Sequence, residues 1–242
     1  MAYVPRVYLP GAAAAQTGPL PAGTAHHLVR VLRRRPGAPV LVFDGEGREY
    51  EGRLESTGRE PRVRVGELRR TEPAPALAVT LVAALSRQTR MEWTLEKAVE
   101  LGAAAIWPVF SEHARIRLDE KRAARKLAHW EGLVVAAAAQ CGRARLPVLR
   151  APAALETAVR EVRGDTRLLL DPQSRRGLSG LPAPGTTLAL MAGPESGFSE
   201  RERDAAEAAG WTAVRLGPRI LRAETAGPAA LAAAQALWGD WR

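Results

Sequence analysis

Two hydrophobic patterns divide the chain. Up to residue 71, apolar and polar positions alternate in short runs, as in PVLVFDGEGREYEGRLEST and REPRVRVGELRR. Alternation with period two marks strands with one buried face, and the DGEG of residues 44–47 has hairpin-turn chemistry. One stretch here has helical spacing. AHHLVRVLRRR sets Leu28, Val31 and Leu32 on one face, with Arg30, Arg33, Arg34 and Arg35 around the other. TEPAPA, residues 71–76, is short and proline-rich and reads as a linker. Beyond it the strands ALAVTLVAAL, AAIWPVF, TRLLLDP, TTLALMAGP and WTAVRLGP are almost continuously apolar. The helices TRMEWTLEKAVELG, closed by Gly102, and LDEKRAARKLAHWEGLVVAAAAQCG lie among them. Strands apolar on both faces and alternating with helices predict a parallel sheet covered on both sides. The pattern therefore predicts an α/β chain with a small β-rich domain at 1–71 and a parallel-sheet domain at 72–242.

Composition narrows the function classes. The chain has 242 residues, 46% of them hydrophobic and 25% charged, enough to build a core in each domain. Its net charge of +9, carried almost wholly by arginine, favours a polyanionic partner. Abundant Ala, Gly and Pro point to GC-rich coding as a second source of that arginine. Charges interrupt every apolar run, so no membrane span or signal-like segment is expected, and the chain reads as cytoplasmic. A single cysteine, Cys141, excludes an internal disulfide and a cysteine metal cluster. At the end of an alanine-rich helix it is expected to be a buried thiol. His26 and His27 have no further ligands at metal spacing, so no metal is expected.

The chemistry concentrates in two loops. In MAGPESGFSE a buried strand runs into a Gly-Pro turn, and a helix follows with Ser199 as N-cap and Glu202 at capping-box spacing. In LGPRILRAETA the strand WTAVRL ends at Gly217-Pro218, with a helix expected to start near Pro228. Loops at the C-terminal ends of parallel strands are where open α/β sheets bind ligands, and Gly193 and Gly197 admit close approach to the backbone. No GxGxxG follows the first strand and no GxxxxGK[ST] occurs, which argues against a dinucleotide site or a P-loop. Ile220 and Leu221 are then either core residues or the walls of a pocket for something partly apolar, such as an adenine.

GPESGFSERE followed by LGPRILRAETA resembles the paired signature of the RsmE family, SPOUT-class methyltransferases that methylate N3 of a uridine in 16S ribosomal RNA. LSRQTRMEWTLEKAVELG, QCGR, PRVYLP and FDG are similar to the family as well, so the resemblance spans essentially the whole chain. Two positions depart from it. Ser196 stands where a glycine is common, and Ala223, where the family has threonine, lacks a hydroxyl and so has no proton role.

The resemblance implies a SPOUT domain with a deep trefoil knot, preceded by a PUA-like β-barrel that binds RNA. It implies S-adenosylmethionine held in the knot by Leu170, Met191, Gly193, Pro194, Glu195, Gly197, Leu216, Gly217, Ile220 and Leu221. It also implies a homodimer with the active site at the interface, and the C-terminal helix GPAALAAAQALWGDW offers Leu231, Leu237 and Trp238 as its apolar face. The expected partner is 16S ribosomal RNA or the small ribosomal subunit. In that setting Arg222 is the candidate cation for a uracil anion, and Glu224 the candidate proton acceptor or partner of Arg222. Arg6, Arg30, Arg33, Arg34, Arg87 and Arg143 are candidate phosphate contacts. The alternatives are a 2′-O-ribose methyltransferase of the SPOUT class and a non-catalytic RNA-binding protein of the same fold.

Overall fold

Alternation in the first 71 residues becomes a five-stranded sheet. In a computed structural model, which describes residues 4–14, 16–113 and 119–241, the strands are β1 (Arg6–Tyr8), β2 (Thr17–Pro19), β3 (Pro39–Phe43), β4 (Arg48–Ser56) and β5 (Arg62–Thr71), in the order β1-β3-β4-β5-β2. The β3–β4 hairpin forms where DGEG requires it. Asp44 Oδ1 accepts the backbone N–H groups of Glu46 at 2.7 Å and Arg48 at 3.0 Å. Val7, Val42, Leu54 and Val63 fill the core beneath. The helical stretch is α1 (Ala22–His26) followed by a π-helical turn, His27–Val31, in which Leu32 N–H reaches back five residues to the His27 carbonyl. This wider turn breaks the expected face. Leu28 is buried, but Val31 is 56% exposed.

One carboxylate organises this unit. Glu49 is buried on β4, accepting Arg6 Nη2 at 2.6 Å, Arg70 Nε at 2.9 Å and Arg69 Nη1 at 3.1 Å. Arg6 in turn donates to the carbonyls of Ala138 and Ala139, near the end of helix α3 (Glu120–Cys141), and lies over the Phe43 ring. Glu72 accepts the N–H groups of Ala144 and Arg145. The first compact unit is accordingly Met1–Ala74 together with Val135–Leu146, a segment that a cut in chain order at residue 71 leaves with the second domain. Cys141 departs from expectation and is exposed. It ends α3, Gly142 turns the chain there (φ 90°), and Ala144 is buried instead. Leu118, expected to open α3, lies outside the described residues.

The second unit, Pro75–Val134 with Pro147–Arg242, is built on a parallel sheet. Its strands are β6 (Ala78–Ala84), β7 (Ala105–Phe110), β8 (Val148–Leu149), β9 (Ala153–Ala154), β10 (Thr166–Leu170), β11 (Thr187–Ala192) and β12 (Thr212–Val214). They run in the order β12-β10-β11-β6-β7-β8, with β9 also on β7, and every pairing is parallel. Both faces are covered, as continuously apolar strands require. Val82, Val109, Ala189 and Met191 meet α4 (Leu155–Glu161) and α5 (Glu200–Ala208). On the other face, α6 (Ala223–Trp238) packs on β6, β11 and α2 (Gln88–Glu100), and its Gly227 sits over Leu81 and Ala192. Gly102 (φ 83°) closes α2 as expected. Its N–H bonds the Val99 carbonyl and Ala103 N–H bonds that of Ala98, a complete Schellman motif. No helix among the described residues is long and apolar enough to cross a membrane.

Helix α6 begins earlier than Pro228 suggests. Thr225 and Ala226 both donate to the Arg222 carbonyl at 2.9 Å, making Arg222 the N-cap. Pro228 thus lies inside the helix, where its missing N–H leaves the Glu224 carbonyl without the usual helical donor.

Burial works against the Glu49 carboxylate, but Arg70 and Arg6 outweigh it and hold its pKa below the usual value. A lowered folded-state pKa gives stability that is present above the unfolded value, about 4.3, and lost as pH falls through the folded one. Glu49→Gln, which strands the buried Arg6 cation, should cost about 3–5 kcal/mol in urea denaturation at neutral pH and flatten the acid limb below about pH 4. A loss under about 1 kcal/mol, with the acid limb unchanged, would remove Glu49 from this role.

Candidate active site

Parallel pairing carries the C-terminal ends of β12, β10 and β11 to one edge of the sheet. The residues following them line a cavity of about 510 Å³. Leu170 ends β10 and Asp171–Gln173 follow it, residues 193–198 follow β11, and Ile220, Leu221 and Arg222 lie between β12 and α6. Ala223 and Ala226 add the first turn of α6, and Arg90 and Arg203 come from α2 and α5. A smaller recess shares Leu170, Leu221 and Ala226, and adds Leu216 and Gly217. A third, lined by Ser86, Thr94 and Glu224, shares Gly193 and Ala223 with the main cavity.

Local chemistry explains each loop. Ser199 caps α5 in a complete capping box. Its hydroxyl accepts Glu202 N–H, and Glu202 Oε2 accepts Ser199 N–H at 2.9 Å. Glu202 Oε1 also takes Glu112 N–H at 2.7 Å, which ties in the loop after β7. A Cβ at Gly193 would come within 3.0 Å of the Phe198 ring, so glycine lets that ring close over the turn. Gly217 has φ 94°, a conformation that favours glycine.

The expected residues fall out as follows. Leu170, Gly193, Pro194, Glu195, Gly197, Ile220, Leu221 and Arg222 reach the main cavity, while Leu216 and Gly217 reach the adjoining recess. Ile220 is no core residue, since at 84% exposure it is the most exposed large hydrophobic among the described residues. Met191 does not reach the wall. It is fully buried, pointing from β11 into the α4–α5 core, because successive strand residues face opposite ways. Glu224 does not pair with Arg222. Its Oε1 lies 3.6 Å from Arg90 Nε, and its Oε2 is buried with no hydrogen-bond partner. Arg222 is exposed and has no carboxylate partner among the described residues.

Sequence reasoning missed Arg90. It donates to Glu195 Oε1 at 2.6 Å while holding Glu224, so one guanidinium joins the loop after β11 to the start of α6. Asp171 and Pro172 were missed as well, although their place just after an apolar strand could have marked them.

The candidate phosphate arginines lie on both units. Arg30 and Arg33 are exposed on the first, with Arg33 in the left-handed region (φ 49°), and Arg34 and Arg143 are half-buried there. Arg87 is exposed at the N-cap of α2 on the second. Arg6 is a correction: its guanidinium nitrogens are all engaged by Glu49 and the α3 carbonyls, which leaves none for a phosphate.

A parallel α/β unit with a strand-end cavity and a separate β-rich unit fit an RNA methyltransferase domain and a PUA domain. The RNA methyltransferase domain family matches residues 72–235, and the RNA methyltransferase PUA domain family matches residues 20–61. Ribosomal RNA small subunit methyltransferase E of Mycobacterium bovis is 34% identical over 222 residues, 89% of this chain and 84% of that protein. The Neisseria gonorrhoeae protein of the same name, solved bound to S-adenosyl methionine, is 37% identical with a TM-score of 0.93, covering 99% of this chain and 100% of that one. A methyltransferase from Legionella pneumophila, solved with bound SAM, is 32% identical with a TM-score of 0.94 over the same shares. The chain belongs to the ribosomal RNA small subunit methyltransferase E family.

Both Arg90–Glu195 partners are a third or more exposed, so the pair adds only about 0–1 kcal/mol to stability. Arg90→Ala should therefore leave the melting midpoint within a few degrees while loosening the loop it holds. Amide exchange at residues 193–198 should quicken, with α5 unchanged behind its own cap. Equal exchange in both proteins would mean that the loop holds itself.

Proposed function

We propose that this chain transfers a methyl group from S-adenosylmethionine to N3 of a uridine in 16S ribosomal RNA. The observation that carries the reading is the strand-end cavity, on which both loops of the paired signature converge. Its volume suits a small organic molecule, and the exposed Ile220 and half-buried Leu221 offer apolar walls for an adenine. The residues that would hold the cofactor are Leu170, Gly193, Pro194, Glu195, Gly197, Leu216, Gly217, Ile220 and Leu221, with Met191 supporting them from the core. When bound, the cofactor supplies a methyl group already made electrophilic by its sulfonium.

The nucleophile is the harder half of the reaction, because uracil N3 carries a proton. Arg222, on the cavity wall with no carboxylate partner among the described residues, stabilises the anion that remains after that proton leaves, and the first N–H groups of α6 add positive potential beside it. Glu224 Oε2, buried without a hydrogen-bond partner among the described residues in the recess lined by Ser86 and Thr94, takes the N3 proton, with Arg90 orienting the carboxylate through Oε1. Arg30, Arg33, Arg34, Arg87 and Arg143 are the arginines that remain for phosphate contacts.

The chain path supports a trefoil knot. From β12 at the sheet edge it returns past β10 so that α6 lies on β11 and β6, the crossing that threading through a loop requires. The same unit supports a homodimer. Trp93 on α2 and Leu237 on α6 are exposed on adjoining helices, with exposed Trp241 just beyond, while Leu231 is already buried within the chain. Light scattering at micromolar concentration should return twice the chain mass, and the chain mass alone would refute the dimer.

The reaction itself is tested by mass spectrometry of 16S ribosomal RNA nucleosides from a strain lacking the gene, with and without complementation. A methylated uridine should return with the protein, its methyl staying on the base when the ribose is removed. A methyl that leaves with the ribose would favour 2′-O chemistry, and no difference between the strains would favour a binding protein.

A further inference from the structure

The second unit carries another cleft, of about 240 Å³, lined by Gln88 of α2 and by Arg122, Arg125, Lys126 and His129 of α3. The four α3 residues stand at i, i+3, i+4 and i+7, the spacing that places side chains on one helical face. In an ordinary amphipathic helix such a stripe is apolar and faces the core. Here it is cationic and opens into the cleft.

The unit neutralises this stripe only in part. Arg122 Nε lies 3.3 Å from Asp119 Oδ2, with both side chains more than half exposed. His129 Nε2 meets Glu92 Oε1 at 2.8 Å, and Gln88 donates to the same oxygen at 2.9 Å. The Lys126 ammonium stands 5.6 Å from the Trp130 ring centroid. Arg125 has no carboxylate partner among the described residues. Like charges three and four residues apart cost a helix roughly 0.2–0.5 kcal/mol per pair. The fold therefore gains nothing from gathering these cations, and a polyanion would relieve their repulsion.

The cleft also joins the cavity through one helix. Gln88 opens α2, and Arg90, two residues on, is part of the cavity wall. We propose that this cleft seats the phosphate backbone of the RNA substrate, next to the nucleotide whose base enters the cavity. The proposal rests on the RNA reading of the active site. Arginine and lysine here bind any sequence alike, and they position the strand rather than specify it. The arginine fork takes a phosphate through two parallel hydrogen bonds, and lysine adds a point charge.

The test is the double variant Arg125→Ala/Lys126→Ala, whose side chains are neither in the cavity nor in the core. Affinity for small-subunit ribosomal RNA transcribed in vitro, and for small subunits from a strain lacking the gene, is measured across a range of salt concentrations. Each lost single-strand phosphate contact lowers the slope of log K against log salt by about 0.7, so the double variant should lose about 1.4. Calorimetric affinity for S-adenosylmethionine and the melting midpoint should not change. Turnover at saturating RNA should match wild type, with the defect in KM. An unchanged slope, whether or not affinity falls, would overturn the proposal while leaving the RNA reading in place. Failure of the wild-type protein itself to bind either RNA would overturn both.

Discussion

The site depends on one constraint, that the strands of the larger sheet all pair in parallel. Parallel neighbours place their C-terminal ends on the same edge, so residues far apart in the chain must meet there. Leu170 pairs with Val214 and Leu169 with Met191, which sets the loops after β10, β11 and β12 side by side. An antiparallel pairing at any of these positions would send one loop to the opposite edge. Everything proposed about the cavity follows from that register.

Holding the loops in place is a separate matter, and charge does it. Glu202 is buried and satisfied on both oxygens, joining the start of α5 to the loop after β7. Arg90 joins the loop after β11 to the start of α6. The smaller unit uses the same device at Glu49, where three arginines converge on one carboxylate. In each case one charged group serves several chain segments, and this is why the arginine content is more than a surface property. Arg6 shows the point most directly, since a residue that looks like a phosphate contact in sequence is consumed inside the unit.

Features coded by neighbours in the chain were legible beforehand. The DGEG hairpin, the Schellman end of α2 and the Ser199–Glu202 capping box each involve residues within a few positions, so their spacing alone reveals them. Apolar continuity likewise revealed the parallel sheet. Contacts across long stretches were not legible. Arg90 reaches Glu195 from 105 positions away, and nothing in TRMEW distinguishes that arginine from Arg87. The direction of Met191 depends on which side of β11 faces α4, which strand composition does not encode. Helical period misled at Val31, because a π-helical turn advances the face unevenly, and Pro228 misled because it sits inside a helix that starts at Ala223.

The central claim is that the loops ending β10, β11 and β12 together form the pocket for S-adenosylmethionine. Titration calorimetry tests it most directly, with wild type beside Gly217→Val and Ile220→Asp. Gly217→Val places a branched side chain at φ 94°, and Ile220→Asp changes a side chain that is 84% exposed and so should not disturb folding. The account predicts one site per wild-type chain and binding lost or weakened at least tenfold, about 1.4 kcal/mol, in both variants. Undiminished binding in both would place the cofactor elsewhere and contradict it.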